Sequence, residues 1–130
     1  MRHAVVWIDS KEARVFEAEG QSITPSIVNS PGPHVHRKAK DQEVRVRNHP
    51  DDEHQFFHDI ARALEGWEQI LLVGPSKAKL HFLRYLQRHE PALEAKIVGI
   101  ETMDHPTDGQ LVAHLRDYFH ESSARRGVAT

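Results

Sequence analysis

Apolar residues occur along this chain in short runs, and their spacing predicts five β-strands. The third run is weak and contains Pro25, which cannot donate a ladder hydrogen bond, so we expect that strand at an edge of the sheet. The fourth run has four consecutive apolar residues before a Gly-Pro turn, which is typical of a strand covered on both faces. The predicted strands are residues 3–9, 13–18, 21–28, 70–73 and 96–101.

Three further segments carry apolar residues at helical spacing, and each has a recognisable start signal. Proline in the first turn, a hydroxyl or carboxylate at the N-cap and glycine after the last turn are the residues that these positions favour. The first helix begins at Pro50 and ends before Gly66, the second follows a Ser76 N-cap and ends at Pro91, and the third begins with Thr107 or Asp108 as its cap.

The order of these elements is β-β-β-α-β-α-β-α, which predicts an α/β fold. The first three strands are joined by short turns and form an antiparallel meander. Right-handed crossovers then place the last two strands parallel to the first, which gives a mixed five-stranded sheet in the order 3-2-1-4-5, the ribonuclease-H-like three-layer arrangement. We expect one domain over residues 1–121, with a flexible basic loop over 29–50, and a frayed tail over 122–130.

The composition excludes several kinds of site. The chain has 130 residues, a formal net charge of −2 and no cysteine, so disulfides, thiolate catalysis and cysteine-ligated zinc are excluded. No apolar run approaches the roughly 20 residues that span a bilayer. The first residues lack the apolar core of a signal peptide. We therefore expect a cytoplasmic location, no membrane partner and no cofactor.

Residues 34–49 differ from the rest of the chain because they are polar, basic and rich in histidine. Five cations are opposed there only by Asp41 and Glu43. Because lysine and arginine neutralise phosphates, this local excess favours contact with RNA, the alternative being a solvated loop without a ligand. The residues that we assign to RNA contact in this segment are His34, His36, Arg37, Lys38, Lys40, Arg45 and Arg47.

The second predicted helix has a basic face opposite its apolar stripe. Lys77, His81, Arg84 and Arg88 recur there at helical spacing. The backbone N–H groups of residues 76–78 add an anion-binding helix start. The face either binds phosphate or is an ordinary solvated helix surface. The residues that we assign to RNA contact on this helix are Lys77, Lys79 and Arg84.

Two alternative hypotheses treat the chain as a metal-dependent hydrolase or nuclease. In one, four imidazoles form a tetrahedral zinc site, although nothing in the sequence brings the two histidine pairs together. In the other, Asp9 at the end of the first strand joins a two-metal site, the alternative being that its side chain closes the following turn. The four histidines are His34, His36, His54 and His58.

A strand, a small-residue turn and a helix with lysine, phenylalanine and tyrosine follow one another in the middle of the chain. The residues of this signature are Gly74, Pro75, Lys79, Phe82, Arg84, Tyr85 and Leu86, accompanied by a hairpin over 6–16 and a motif over 104–111. On these motifs the chain resembles a bacterial family described as translational machinery protein. That family is similar to the middle domain of archaeal and eukaryotic peptide-chain release factors and of the ribosome-rescue factor Pelota.

The resemblance also limits the expected activity. Release factors carry a catalytic Gly-Gly-Gln in the loop before the first helix, where this chain has residues 34–42, and no Gly-Gly-Gln occurs in the sequence. The resemblance therefore implies a binding module for ribosomal RNA or tRNA that has no catalytic residues and does not release peptides. A third hypothesis is a protein-interaction module that forms homo-oligomers through a sheet edge.

Overall fold

A computed structural model describes residues 2–30 and 50–129, with side chains over 2–30 and 52–120. The strands are β1 (Arg2–Ile8), β2 (Glu12–Glu19), β3 (Ser22–Asn29), β4 (Gln69–Gly74) and β5 (Ile97–Thr102). The helices are α1 (Pro50–Ala63), α2 (Ala78–His89), α3 (Pro91–Glu94) and α4 (Asp108–Ala129). Each strand lies within one residue of its prediction at either end. Among the described residues, no helix is long and apolar enough to cross a membrane.

The described strands form one mixed sheet in the order β3-β2-β1-β4-β5, with β1 at its centre. β1 pairs antiparallel with β2, where Val6 is opposite Val15, and parallel with β4, where Val6 is opposite Leu72. β4 continues the parallel half with β5. Pro25 lies opposite Phe16 in the edge strand β3. The predicted strand order and the edge position of the third strand are both confirmed.

Helices cover both faces of the sheet, so the fold has the predicted three layers with two separate cores. The core on the α1–α2 side includes Val6, Ile8, Leu72, Phe57 and Phe82. The core on the α4 side includes Val5, Trp7, Leu71, Leu111 and Phe119. Successive residues of β1 alternate between the two cores, and its side chains from Ala4 to Ile8 are all 0% exposed.

The short helix α3 is an extra turn that the sequence pattern did not predict. Pro91, interpreted as the end of the second helix, is instead the first residue of α3. Proline suits that position because the N–H that it lacks would have no partner within the helix. Leu93 then packs into the core beneath α2.

The start of α2 differs from the prediction of a Ser76 cap. Lys77 is the N-cap residue, and no side chain caps this end. The Lys77 carbonyl accepts the amides of Leu80 and His81 at 2.9 and 3.0 Å. Because a capping hydroxyl must belong to the N-cap residue to reach the amides two and three positions later, Ser76 lies one position too early.

The start of α4 is closed by a reciprocal capping box. The Oγ1 atom of Thr107 accepts the Gln110 amide at 3.1 Å, and Oε1 of Gln110 accepts the Thr107 amide at 2.9 Å. Of the two predicted caps, Thr107 is therefore the one in place. The helical backbone continues through Ala129, and the frayed tail over 122–130 stays a prediction. That segment has no apolar stripe, but its alanines and arginines favour helix.

The carboxyl ends of β1 and β4 come into close contact at Gly74. A Cβ atom at this position would collide with the carbonyl oxygen of Ile8 and lie 3.4 Å from its carbonyl carbon. The Gly74 carbonyl accepts the Met103 amide at 2.9 Å, which fixes the backbone on its other side. Because the Ile8 carbonyl blocks a Cβ atom and the hydrogen bond to Met103 holds the backbone in place, only glycine fits at position 74.

We therefore expect Gly74→Ala to lower the free energy of unfolding by roughly 1–3 kcal/mol, the usual cost of overpacking a rigid site. Gly109→Ala is the matched control, because a Cβ there meets nothing within 4 Å. That variant should be neutral or stabilising by about 0.4–1 kcal/mol. Urea unfolding followed by far-ultraviolet circular dichroism measures both values. Equal unfolding midpoints for the two variants would contradict the steric argument.

Candidate functional site

Most of the predicted RNA-contact residues lie outside the described residues. They are His34, His36, Arg37, Lys38, Lys40, Arg45 and Arg47. The two flanking elements are described, since β3 ends at Asn29 and α1 begins at Pro50. Ser30 is buried, and its amide donates to the Lys11 carbonyl at 2.8 Å. This bond fixes the point from which the segment 31–49 leaves the sheet.

A pocket of about 270 Å³ lies at the carboxyl edge of β1 and β4. Its lining includes Asp9 and Ser10 after β1, Ser30 after β3, Glu53 in the first turn of α1 and Lys77 before α2. Carboxyl ends of parallel strands are a common place for ligand sites, because loops and helix starts meet there. The segment 31–49 is therefore joined to the sheet beside a concave surface. The pocket formed by these residues is called the edge pocket below.

Asp9 has a structural role in this pocket. Its Oδ1 atom accepts the amides of Lys11 and Glu12 at 2.8 and 2.9 Å, which closes the turn between β1 and β2. Its Oδ2 atom lies 3.9 Å from Nε2 of His105. Among the described side chains, no group of three or more histidine or acidic residues is arranged to hold a metal ion. The turn-forming alternative for Asp9 is thus the one that the geometry supports.

A groove of about 470 Å³ runs between α1 and α2 on the outer surface of the domain, and we call it the interhelical groove. Its α2 side is formed by His81, Arg84 and Arg88, three members of the basic face predicted from the sequence. Glu53 and His81 line both this groove and the edge pocket, so the two concave surfaces adjoin. The predicted face is therefore the wall of a groove rather than a convex helix surface.

The arginines of the groove have no acidic partner in the part of the chain whose side chains are described. Arg84 and Arg88 are exposed and form no ion pair there. The carboxylate of Glu53 lies 3.8 Å from Nδ1 of His81 instead. Within this region, both guanidinium groups therefore keep their donors for an external anion, for which their planar shape is suited.

Three aromatic rings cluster in the same groove. The ring centre of Tyr85 on α2 lies 4.7 Å from that of His89 and 5.8 Å from that of His54 on α1. The two histidine rings are 5.7 Å apart. Tyr85 is also 5.6 Å from Phe57, which anchors it to the core. Sequence reasoning missed this cluster, because the meeting of His54 with α2 depends on how the two helices pack.

The surroundings of Tyr85 keep its phenol in the neutral form. Burial raises the pKa of Tyr85 above its ordinary value, and the negative charge of Glu90 raises it further. Both effects act against ionisation. A tyrosine of ordinary pKa is already neutral at physiological pH, so the phenol places no negative charge beside Arg84 and Arg88.

The zinc hypothesis gains no support from the two histidines that the structure describes. It required His54 and His58 to act together, but only His54 lines the interhelical groove. His54 contacts the rings of Tyr85 and His89 instead. The other two predicted ligands, His34 and His36, lie outside the described residues.

Lys79 is buried, which corrects its assignment to RNA contact. The residue is 6% exposed, and its Nζ atom donates to the Ser76 carbonyl at 2.7 Å. Lys77, in contrast, is exposed. Two residues apart on a helix correspond to a rotation of about 200°, so these two lysines do not share a face. Lys79 closes the turn that precedes α2.

The loop after β5 also has a structural role. The Nε1 atom of Trp7 donates to the carbonyls of Met103 and Asp104 at 3.1 and 2.7 Å. Arg14 lies over the Trp7 ring, 4.5 Å from its centre, and donates to the Pro106 carbonyl at 2.9 Å. These contacts tie the loop before α4 to the sheet. No local pattern in the sequence indicates that Arg14 lies under this loop.

These features define the chain as a three-layer α/β domain with a basic groove beside the carboxyl edge of its parallel strands. No protein-family model matches the sequence, and no curated protein matches it. Solved structures with the same fold include Archaeoglobus fulgidus Pelota (TM-score 0.53, 16% identity) and Thermoplasma acidophilum Pelota (TM-score 0.57, 21% identity). An archaeal translation termination factor is similar as well (TM-score 0.55, 12% identity).

The likeness concerns only a part of each of these proteins. It covers 82, 84 and 82% of this chain but 27, 30 and 31% of the three neighbours, in the same order. The chain thus spans about a third of the length of the proteins that it matches. At these identities the comparison establishes a shared fold, in agreement with the ribonuclease-H-like arrangement predicted from the sequence.

The burial of Lys79 leads to a test of its structural role. We expect Lys79→Ala to lower the free energy of unfolding by roughly 1–2 kcal/mol, because it removes a charged hydrogen bond and the packing of the aliphatic stem. Lys77→Ala removes the same side chain from an exposed position and should change the value by less than about 0.5 kcal/mol. Urea unfolding separates the two. A Lys79→Ala variant as stable as the parent would show that its hydrogen bond is dispensable.

Proposed function

We propose that this chain is a non-catalytic RNA-binding module of the translation apparatus. It contacts ribosomal RNA or tRNA through the basic segment 34–47 and the exposed cations of α2. The observation that carries the proposal is that Ser30 and the first turn of α1, which flank that segment, line the edge pocket, and that this pocket adjoins the groove of Arg84 and Arg88. The described ends of that segment and the start of α2 thus lie at one edge of the sheet, which supports the proposal that the two basic stretches act as a single phosphate-binding surface.

The fold likeness supports the translational part of the proposal. The similar structures are described as Pelota and as a translation termination factor. The resemblance to the bacterial family of translational machinery proteins points in the same direction. Because ribosomes and tRNA are cytoplasmic, we propose that location as well. Peptide release is not part of the proposal, since the sequence contains no Gly-Gly-Gln.

Ribosome co-sedimentation tests the proposal directly. We expect the chain to pellet with ribosomes at low salt and to be released steeply as salt rises, because each phosphate contact adds about 0.7–0.9 to the slope of log K against log salt. The triple variant Arg37→Ala, Lys38→Ala and Lys40→Ala removes three of these cations. Its slope should fall by roughly 2 if all three contact phosphate.

A charge-matched variant controls for net charge. It also removes three cations, one at the end of α1, one directly before β5 and one on α4 in the opposite layer. The substitutions are Arg62→Ala, Lys96→Ala and Arg116→Ala. This variant should pellet like the parent. An equal loss in both triple variants would show that binding follows total charge and not the proposed surface. Ribosome fractions that lack the parent chain at low salt would reject the proposed function.

A second candidate function is self-association through β5. This strand is at the edge of the described sheet, and Val98 and Ile100 on it are 43 and 41% exposed. A free edge with exposed apolar side chains pairs readily with another strand. A second copy of the chain offers the same edge, so two β5 strands would pair antiparallel about a twofold axis.

Light scattering at several concentrations tests this second candidate. We expect the parent mass to approach that of a dimer as concentration rises, and Ile100→Lys to stay monomeric because a charge would be placed in the new interface. Ile27→Lys is the matched control, since Ile27 is 59% exposed on the opposite edge strand β3. A concentration-independent monomer mass for the parent would reject the pairing.

A further inference from the structure

The interhelical groove combines aromatic rings with cations that have no acidic partner among the described side chains, and phosphate binding alone requires only the cations. Arg84 and Arg88 line the groove together with Tyr85, His54 and His89. The three rings lie within 5.8 Å of one another, centre to centre. Rings interleaved with cations on a surface are characteristic of sites for unpaired nucleotides, because every base has a face that stacks on an aromatic side chain.

Tyr85 is the ring best placed to receive a base. Its inner side packs against Phe57, so the core holds its position before any ligand arrives. The residue is half-buried and lines the groove. A ring that is already held in place loses little conformational freedom on binding, which favours stacking at low entropic cost.

The cations lie on both sides of Tyr85 along the helix. Arg84 precedes Tyr85 directly and Arg88 follows three residues later, so the two guanidinium stems are separated by about 6 Å along the helix axis. Lys77 continues the row toward the edge pocket, roughly 16 Å from Arg88. A backbone running along α2 would therefore meet a cation before and after the base that lies on Tyr85.

A double helix does not satisfy this arrangement. Its bases are stacked inside the duplex, and it presents phosphates without a free base face to the tyrosine. An acidic peptide would use the arginines but leave the ring cluster without a partner. The combination of rings and cations thus favours an unpaired polynucleotide over either alternative.

We propose that the interhelical groove binds single-stranded RNA, with one base stacked on Tyr85 and the adjacent phosphates bound by Arg84 and Arg88. The proposal rests on the proposed function, which it deepens by naming the form of RNA and the residues that distinguish it. His54 and His89 complete the aromatic wall on the two sides of the groove. The groove thereby adds a base contact to a surface that otherwise binds phosphates.

Fluorescence anisotropy with a labelled oligouridylate tests the proposal, with an RNA duplex of equal length as the second probe. The parent should bind the single strand more tightly than the duplex. Tyr85→Leu should weaken single-strand binding by about tenfold, because it removes the stacking surface while keeping apolar packing. Tyr85→Phe keeps the ring and should bind like the parent.

The double variant Arg84→Gln with Arg88→Gln tests the phosphate contacts. It should lower the slope of log K against log salt by roughly 1.4, or about 0.7 for each phosphate contact.

Tyr118→Leu is the matched control on the opposite layer. Tyr118 is also half-buried on a helix, and its ring lies 6.5 Å from that of His114. Its replacement should leave RNA binding unchanged. Unfolding midpoints of all variants establish that they are folded at the assay temperature. Heparin, a polyanion without bases, should bind the Tyr85→Leu variant as well as it binds the parent.

The outcomes separate this inference from the proposed function. Ribosome binding by the parent together with equal RNA affinities of Tyr85→Leu and Tyr85→Phe would overturn the stacking inference alone. Tighter binding of the duplex than of the single strand would overturn it too. A parent chain that binds neither ribosomes nor oligonucleotides at low salt would overturn both proposals. A loss specific to Tyr85→Leu and to the single-stranded probe would establish the site.

Discussion

Strand β1 is buried on both faces and paired on both edges. The rest of the structure depends on this constraint. The β1 residues from Ala4 to Ile8 are fully buried, and alternate side chains belong to different cores. A strand of this kind needs helices on both sides, which gives three layers. Because β4 is parallel to it, the chain must cross over through α1 before β4. The fold follows from these two requirements.

The parallel pairing of β1 with β4 also determines where a site can form. Both strands end at the same edge, and α2 begins directly beyond Gly74. The turn after β1, the end of β3 and the first turn of α1 line the same pocket. The two strands approach so closely there that Gly74 cannot carry a side chain. A rigid edge of this kind is a suitable support for the long basic segment that is joined to it.

Most of the fold was predictable because strand and helix periodicity is local. The strands and the Thr107 cap depend on residues that are neighbours in the chain, and the strand order follows from the short turns of the meander and the right-handed crossover rule. Some errors are local, as at the Ser76 cap, at Pro91 and at Lys79, and others concern contacts between elements. Lysine is usually found at the surface. Lys79, however, lies on the buried side of α2, where its Nζ atom donates to the Ser76 carbonyl. The meeting of His54 with Tyr85 depends on the packing of α1 against α2, which no local pattern specifies.

The described part of the domain contains two groupings of arginine with an aromatic ring, and their difference supports the proposal that the groove is a binding surface. Arg14 covers Trp7, and its donors are bound by Asp108 at 2.7 Å and by the Pro106 carbonyl at 2.9 Å. Its Nε is buried without a hydrogen bond among the described residues and lies 3.9 Å from the Glu12 carboxylate, and the grouping holds the loop before α4 in place. Arg84 and Arg88 beside Tyr85 have no such acceptors among the described side chains. Because exposed guanidinium groups without an acidic partner add little to folding stability, their position beside a fixed ring supports the proposed ligand, which would supply both acceptors and a planar face.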